Sequence, residues 1–126
     1  MRYLLDTTFV IDLLRGQATA RRRCARLFED GDTVYVNEVV VCEAATGAHG
    51  DTLSDLVAIV QPIDFIQPGP ESALEAGRWR AEARGRGRLL SLPDALIAAA
   101  ANAVDATILT RNVRDFSLTP VPVEAY

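Results

Sequence analysis

Asp6, Glu43, Asp94 and Asp115 are the side chains whose types and positions could together do chemistry. Asp6 ends the apolar run Tyr3-Leu4-Leu5, which has the length of a buried strand. Glu43 lies in a helix-like stretch behind Thr33-Val34-Tyr35-Val36, and Asp94 opens the run Ala95 to Ala101. Asp115 follows a fourth strand-like run, Thr107-Ile108-Leu109-Thr110. If these strands are parallel, Asp6, Asp94 and Asp115 fall at the carboxyl edge of the sheet, where open α/β sheets bind ligands. Glu43 joins them if its helix turns that face inward. Carboxylates crowded together repel and raise one another's pKa values, and a divalent cation removes that penalty. Oxygen-only ligands suit Mg²⁺ or Mn²⁺. Such an ion can activate water and stabilise charge on a phosphodiester. The sole histidine is His49, so no Cys/His cluster competes for a zinc role. Each acid also has a plainer reading: Asp6 and Asp94 as helix caps, Glu43 as a surface carboxylate, Asp115 as a turn residue.

The elements that must position these acids alternate along the chain. After the first strand, Phe9, Val10, Leu13 and Leu14 have helical spacing, with Thr7 or Thr8 as a cap and Gly16 as the stop. A second helix is expected over Thr19 to Glu29, with Ala20, Cys24, Leu27 and Phe28 inward. Thr33 to Val36 reads as a strand. Asn37 is placed to cap a third helix over Glu38 to Ala48, and a fourth helix starts at Asp51. Pro62 to Ile66 reads as the third strand, and Pro70 opens a long helix to about Arg84. Pro93 is suited to the first position of the apolar helix that ends near Ala103. Val121 to Val123 suits an edge strand, where its flanking prolines are tolerated. Alternation of this kind predicts an α/β fold: a three-layer α/β/α sandwich around a mostly parallel sheet of four to five strands. Residues 1–126 are expected to form a single domain.

Composition removes several function classes. Apolar residues make up 49% of 126, which argues for a folded core. No apolar run reaches membrane-span length, and no leader pattern precedes the first strand. Cys24 and Cys42 are widely spaced and read as thiols of a reduced compartment, so a cytoplasmic location is expected. Net charge is -4, and every basic residue is arginine. Without lysine there is no P-loop, no Schiff base, and no phosphatase or receiver site of the aspartate–lysine type.

At Leu4-Leu5-Asp6-Thr7, Ile11-Asp12-Leu13-Leu14-Arg15-Gly16, Glu43, Asp94-Ala95-Leu96-Ile97-Ala98-Ala99 and Leu109-Thr110-Arg111-Asn112-Val113-Arg114-Asp115-Phe116, the chain resembles the PIN-domain ribonucleases. It is most similar to the VapC toxins of bacterial toxin–antitoxin pairs, and the likeness runs through essentially the whole chain. The resemblance implies that Asp6, Glu43, Asp94 and Asp115 bind Mg²⁺ or Mn²⁺ and hydrolyse RNA. It also implies a homodimer held inactive by a VapB-type antitoxin. Asn37-Glu38 stands where the family usually has Ser or Thr, so Glu38 is an additional acid near the site.

Thr7, Thr110 and Asn112 are candidates to orient the site by hydrogen bonds, or to shape its turns. Arg80, Arg84 and Arg88 form one stripe if their helix persists. Such a stripe suits RNA phosphates or antitoxin carboxylates, or is a solvated face. Trp79 can stack on a base, or pack in the core or a dimer interface. Asp12 reads as a solvent-facing helix residue. The alternative function is a non-catalytic PIN-like module that binds RNA or a partner.

Overall fold

The computed structural model describes every residue from Met1 to Tyr126. Five strands form one sheet: β1 Arg2–Leu5, β2 Thr33–Asn37, β3 Asp64–Ile66, β4 Thr107–Leu109 and β5 Val123–Glu124. Their spatial order is β3-β2-β1-β4-β5, and every pairing is parallel. The α-helices are α1 Thr7–Leu14, α2 Ala18–Glu29, α3 Glu38–Thr46, α4 Asp51–Val60, α5 Pro70–Gly85 and α6 Leu92–Ala103. A 3-10 turn spans Val113–Phe116.

The chain moves outward from β1 through β2 to β3, then crosses back to add β4 and β5 on the other side of β1. Right-handed crossovers therefore place α5 and α6 on the face opposite the earlier helices. The reversal makes the carboxyl ends of β1 and β4 a topological switch point, the crevice where such sheets bind ligands. Leu4, Leu5, Val36, Ile108 and Leu109 are fully buried between the layers. Ala95 and Ile97 to Ala101 are buried along α6. Small side chains at these positions let α5 approach closely, and Ala76, Trp79 and Ala83 fill that contact at helical spacing.

Several boundaries and faces differ from the sequence reading, each for a local reason. Ile63 N–H turns back to the Val60 carbonyl at 3.1 Å, so Pro62 and Ile63 close α4 instead of opening β3. The β5 ladder is shifted toward the C-terminus, because Ile108 N–H uses the Pro122 carbonyl and Thr110 N–H the Glu124 carbonyl. Ser91 accepts from the Asp94 amide and starts α6 at Leu92, which makes Pro93 the second helical residue. Asp94 is therefore not the cap of its own helix. Phe28 is 48% exposed and lines a groove between α1, α2 and α4 with Leu13, Leu14 and Ile59. Cys24 is half-buried, Cys42 is exposed, and both are free thiols.

Trp79 is 2% exposed within the chain's own core. This removes it from base stacking and from a dimer surface. Replacing Trp79 by Ala is expected to destabilise the fold by about 3–5 kcal/mol, the usual range for deleting a buried aromatic. Urea denaturation of wild type and variant checks this. A loss within ~0.5 kcal/mol, normal for surface positions, would contradict the core role.

Candidate active site

Asp6 occupies the N-cap position of α1 with extended backbone, but its side chain makes no capping bond. Its amide donates instead to the Leu109 carbonyl at 3.0 Å, which ties the ends of β1 and β4 together. The carboxylate is buried and accepts from neutral hydroxyls. Thr110 Oγ1 donates to Asp6 Oδ2 at 2.7 Å, and Thr8 Oγ1 donates to the same oxygen at 3.1 Å. Thr7 Oγ1 donates to Glu43 Oε1 at 2.6 Å, which joins α1 to α3. Thr7 and Thr8 are thus not helix caps; their hydroxyls serve the carboxylates. Asn112 gives its amide to Thr110 Oγ1 at 3.0 Å.

Asp94 stands in the first turn of α6, half-buried. Burial pushes its carboxyl up to about 6, and the charges of Asp115, Asp6 and Glu43 push the same way against a lowering hydrogen bond with Ser91. Burial also raises Asp6 above the ordinary carboxylate range, with Glu43 adding to it; Thr110, the Thr7 amide and Thr8 oppose. All four acids therefore share one electrostatic neighbourhood at the switch point. As placed, no group of three or more of the chain's Asp, Glu, His or Cys side chains is close enough to clasp one ion directly. The donors are oxygens throughout. They fit a hard cation that keeps several of its waters, as Mg²⁺ does when few carboxylates hold it.

Counter-charge is distributed unevenly. The chain's ion pairs engage Asp12, Asp32, Glu75, Glu82 and Glu124. None engages Asp6, Glu43, Asp94 or Asp115, in a chain with thirteen basic side chains.

The arginine stripe is broken. Because α5 ends at Gly85, Arg88 leaves the helical row, and its amide caps back onto the Ala83 carbonyl. Arg80 Nε donates to the Leu90 carbonyl at 3.0 Å and ties α5 to the segment before α6. Arg84 remains exposed. Asp12 is corrected outright: it is 2% exposed, paired with Arg111 and bonded by Tyr126. Its position three residues after buried Phe9 places it on the inward face, a signal present in the sequence. Thr8, Ser91, Arg111 and Tyr126 also belong to the site or its support and carried no site assignment from sequence.

The elevated Asp94 pKa fixes the sign of a pH effect. An unfolded aspartate titrates near ~3.9, so between about 4 and about 6 the folded, cation-free protein binds more protons at Asp94 than the unfolded chain does. The stabilisation from this group is complete below the lower value and is lost as pH rises through the upper one. Thermal melts in chelator are expected to show this decline, and Asp94→Asn is expected to remove Asp94's share of it. An unchanged slope in the variant would place the effect elsewhere.

Comparison with known proteins is consistent along the chain. The PIN domain family model matches residues 3–121. Ribonuclease VapC19 of Mycobacterium tuberculosis is 34% identical over 117 residues, covering 93% of this chain and 94% of the relative. Ribonuclease VapC1 of Haemophilus influenzae is 22% identical over 92% of this chain and 90% of its own length. Among solved structures, VapBC2 from Rickettsia felis bound to a DNA fragment from their promoter superposes with a TM-score of 0.87 at 21% identity, covering 100% of this chain and 99% of that one. VapBC-1 from nontypeable Haemophilus influenzae gives 0.83 at 21% identity over 99% and 98% of the two chains. A family model that spans nearly the whole chain, and a relative one-third identical along almost its full length, establish that this chain belongs to the PIN-domain family, in its VapC branch.

Proposed function

We propose that this protein is a divalent-cation-dependent endoribonuclease, the toxin of a VapBC-type pair. The observation that carries the reading is the set of four acids without an ion pair at the β1/β4 switch point, with Asp94 pushed up to about 6. Asp6, Glu43, Asp94 and Asp115 are the residues that would hold Mg²⁺ or Mn²⁺. When bound, such an ion supplies Lewis-acid stabilisation of phosphodiester charge and a lowered water pKa. The chain's own residues orient the acids. Thr110 and Thr8 keep Asp6 Oδ2 occupied by neutral donors, and Thr7 sets the direction of Glu43. The alanine face of α6 excludes water behind Asp94.

Partner binding belongs to the same proposal. The groove lined by Leu13, Leu14, Phe28, Ile59 and Ile63 is mostly apolar and open, with Arg21 and Asp55 among its walls, and suits an amphipathic VapB-type antitoxin helix. Exposed Leu74, Leu89 and Leu92 are the surface proposed for a homodimer, in place of Trp79. No helix is long and apolar enough to cross a membrane; a cytoplasmic site of action is part of the proposal.

An RNA cleavage assay decides between enzyme and binding module. Wild type is expected to cleave with Mg²⁺ or Mn²⁺ and to stop with chelator. Asp94→Asn is expected to abolish cleavage while the cation-free protein melts no lower than wild type, since the variant relieves repulsion. A variant that cleaves at the wild-type rate would remove Asp94 from the site; RNA binding without cleavage by wild type would favour the non-catalytic module.

Arg84→Ala is expected to leave the melting temperature nearly unchanged, because exposed charges contribute little to folding. Its effect should fall on RNA affinity or antitoxin affinity, measured separately. Loss of stability with both affinities intact would contradict a binding role.

A further inference from the structure

The hydrogen bonds around Asp6 continue away from the site. Thr8 Oγ1 accepts the Arg111 amide at 3.2 Å, and Thr110 Oγ1 accepts the Asn112 amide at 3.0 Å. With those oxygens engaged as acceptors, the Thr110 hydrogen is directed to Asp6 Oδ2. The same Arg111 sends its side chain to α1, where Nη1 donates to both oxygens of Asp12 at 2.8 and 3.0 Å. Asp12 Oδ2 also accepts from the Tyr126 hydroxyl. The Tyr126 ring stands edge-on to Phe9, centroids 4.6 Å apart. Burial, with Asp12 beside it, raises the Tyr126 hydroxyl well above the ordinary tyrosine range, which keeps it protonated as a donor.

Residues from two distant places in the chain thus meet on one buried carboxylate of α1: Arg111, directly after β4, and Tyr126. Arg111 is the link. Its backbone touches the hydroxyl that serves Asp6, and its guanidinium anchors to Asp12.

We infer that Asp12, Arg111 and Tyr126 are positioning residues for the site: they fix the segment after β4 against α1 and thereby hold the Thr8 and Thr110 hydroxyls on Asp6 Oδ2. Partners that orient ligating carboxylates typically change metal affinity or activity by about 10–100-fold when removed. The inference rests on the proposed cation-dependent ribonuclease site for its Mn²⁺ and kinetic tests; its amide-exchange test does not.

The test uses Arg111→Ala, Arg111→Lys and Tyr126→Phe in the full chain. Native-state amide exchange, without RNA, is expected to show faster exchange at positions 111 and 112 in Arg111→Ala, with α5 and α6 unchanged. Tyr126→Phe should show a smaller effect in the same place. Mn²⁺ affinity or RNA turnover in Arg111→Ala should fall by about 10–100-fold, with the kinetic loss in kcat and not KM. Arg111→Lys should recover part of it, since the charge stays and a single nitrogen makes both contacts to Asp12 in the wild type. Acceleration of exchange spread evenly over the chain would mean that the cluster only stabilises the fold, and overturns the inference. Wild-type exchange, Mn²⁺ affinity and kcat in Arg111→Ala overturn it as well. If wild type cleaves no RNA and binds no Mn²⁺, the ribonuclease reading fails, and amide exchange at positions 111 and 112 alone decides the positioning role.

Discussion

Burial of the Asp6 carboxylate at the junction of β1 and β4 is the constraint around which the rest of this molecule is arranged. A carboxylate removed from water must find donors. Here they come from the start of α1 and from the end of β4, which the reversal of strand order brings together. The Asp6 amide, bonded to the Leu109 carbonyl, fixes the same junction through the backbone. Sheet topology and the site are therefore one feature: a different order of strands would separate Thr110 from Asp6.

Two buried or half-buried acid groups in this chain are treated oppositely. Asp12 has its counter-charge built in, through Arg111, and a phenol besides. With the carboxylate buried and the guanidinium half exposed, the pair is weak grounds for stability, because desolvation of Asp12 offsets a solvent-screened attraction; its value lies in the geometry it fixes. Asp6 and Asp94 receive only neutral donors, and both are driven above the usual carboxylate range. The fold thus places its paired cations elsewhere and leaves the switch point negative. A protein selected only for stability would neutralise such a cluster. The imbalance is what the proposed divalent cation would correct.

The cores on the two faces of the sheet differ in grain. Along α6 the buried residues are mostly alanine, so α5 packs close and Trp79 fills the gap. Around α1, α2 and α4 the side chains are larger, and Phe28, Leu53 and Val57 are exposed beside the groove or on α4. On the alanine-rich face, Asp94 stands in the first turn of a helix whose following residues are buried, which suits a carboxylate that must keep its position despite repulsion. The other face carries the groove proposed for an antitoxin helix.

The alternation of elements, the parallel sheet, the Asn37 cap on α3 and the placement of Asp6 and Asp94 were legible in the sequence, because each depends on local spacing. Hydrophobic periodicity and capping residues act within a few positions of themselves. The roles of Thr8, Arg111 and Tyr126 were not legible, and for Asp12 only the inward placement was, not its partners. Asp12 and its partners lie about a hundred residues apart, and nothing in local pattern says which distant guanidinium a carboxylate will meet. The arginine stripe was conditional on its helix persisting; α5 ends at Gly85, and Arg80 and the Arg88 amide turn to nearby carbonyls. Sequence determined which elements form and which residue types stand at their ends. Tertiary structure decided which of those ends meet, because the return of the chain past β1 sets contacts that no local rule encodes.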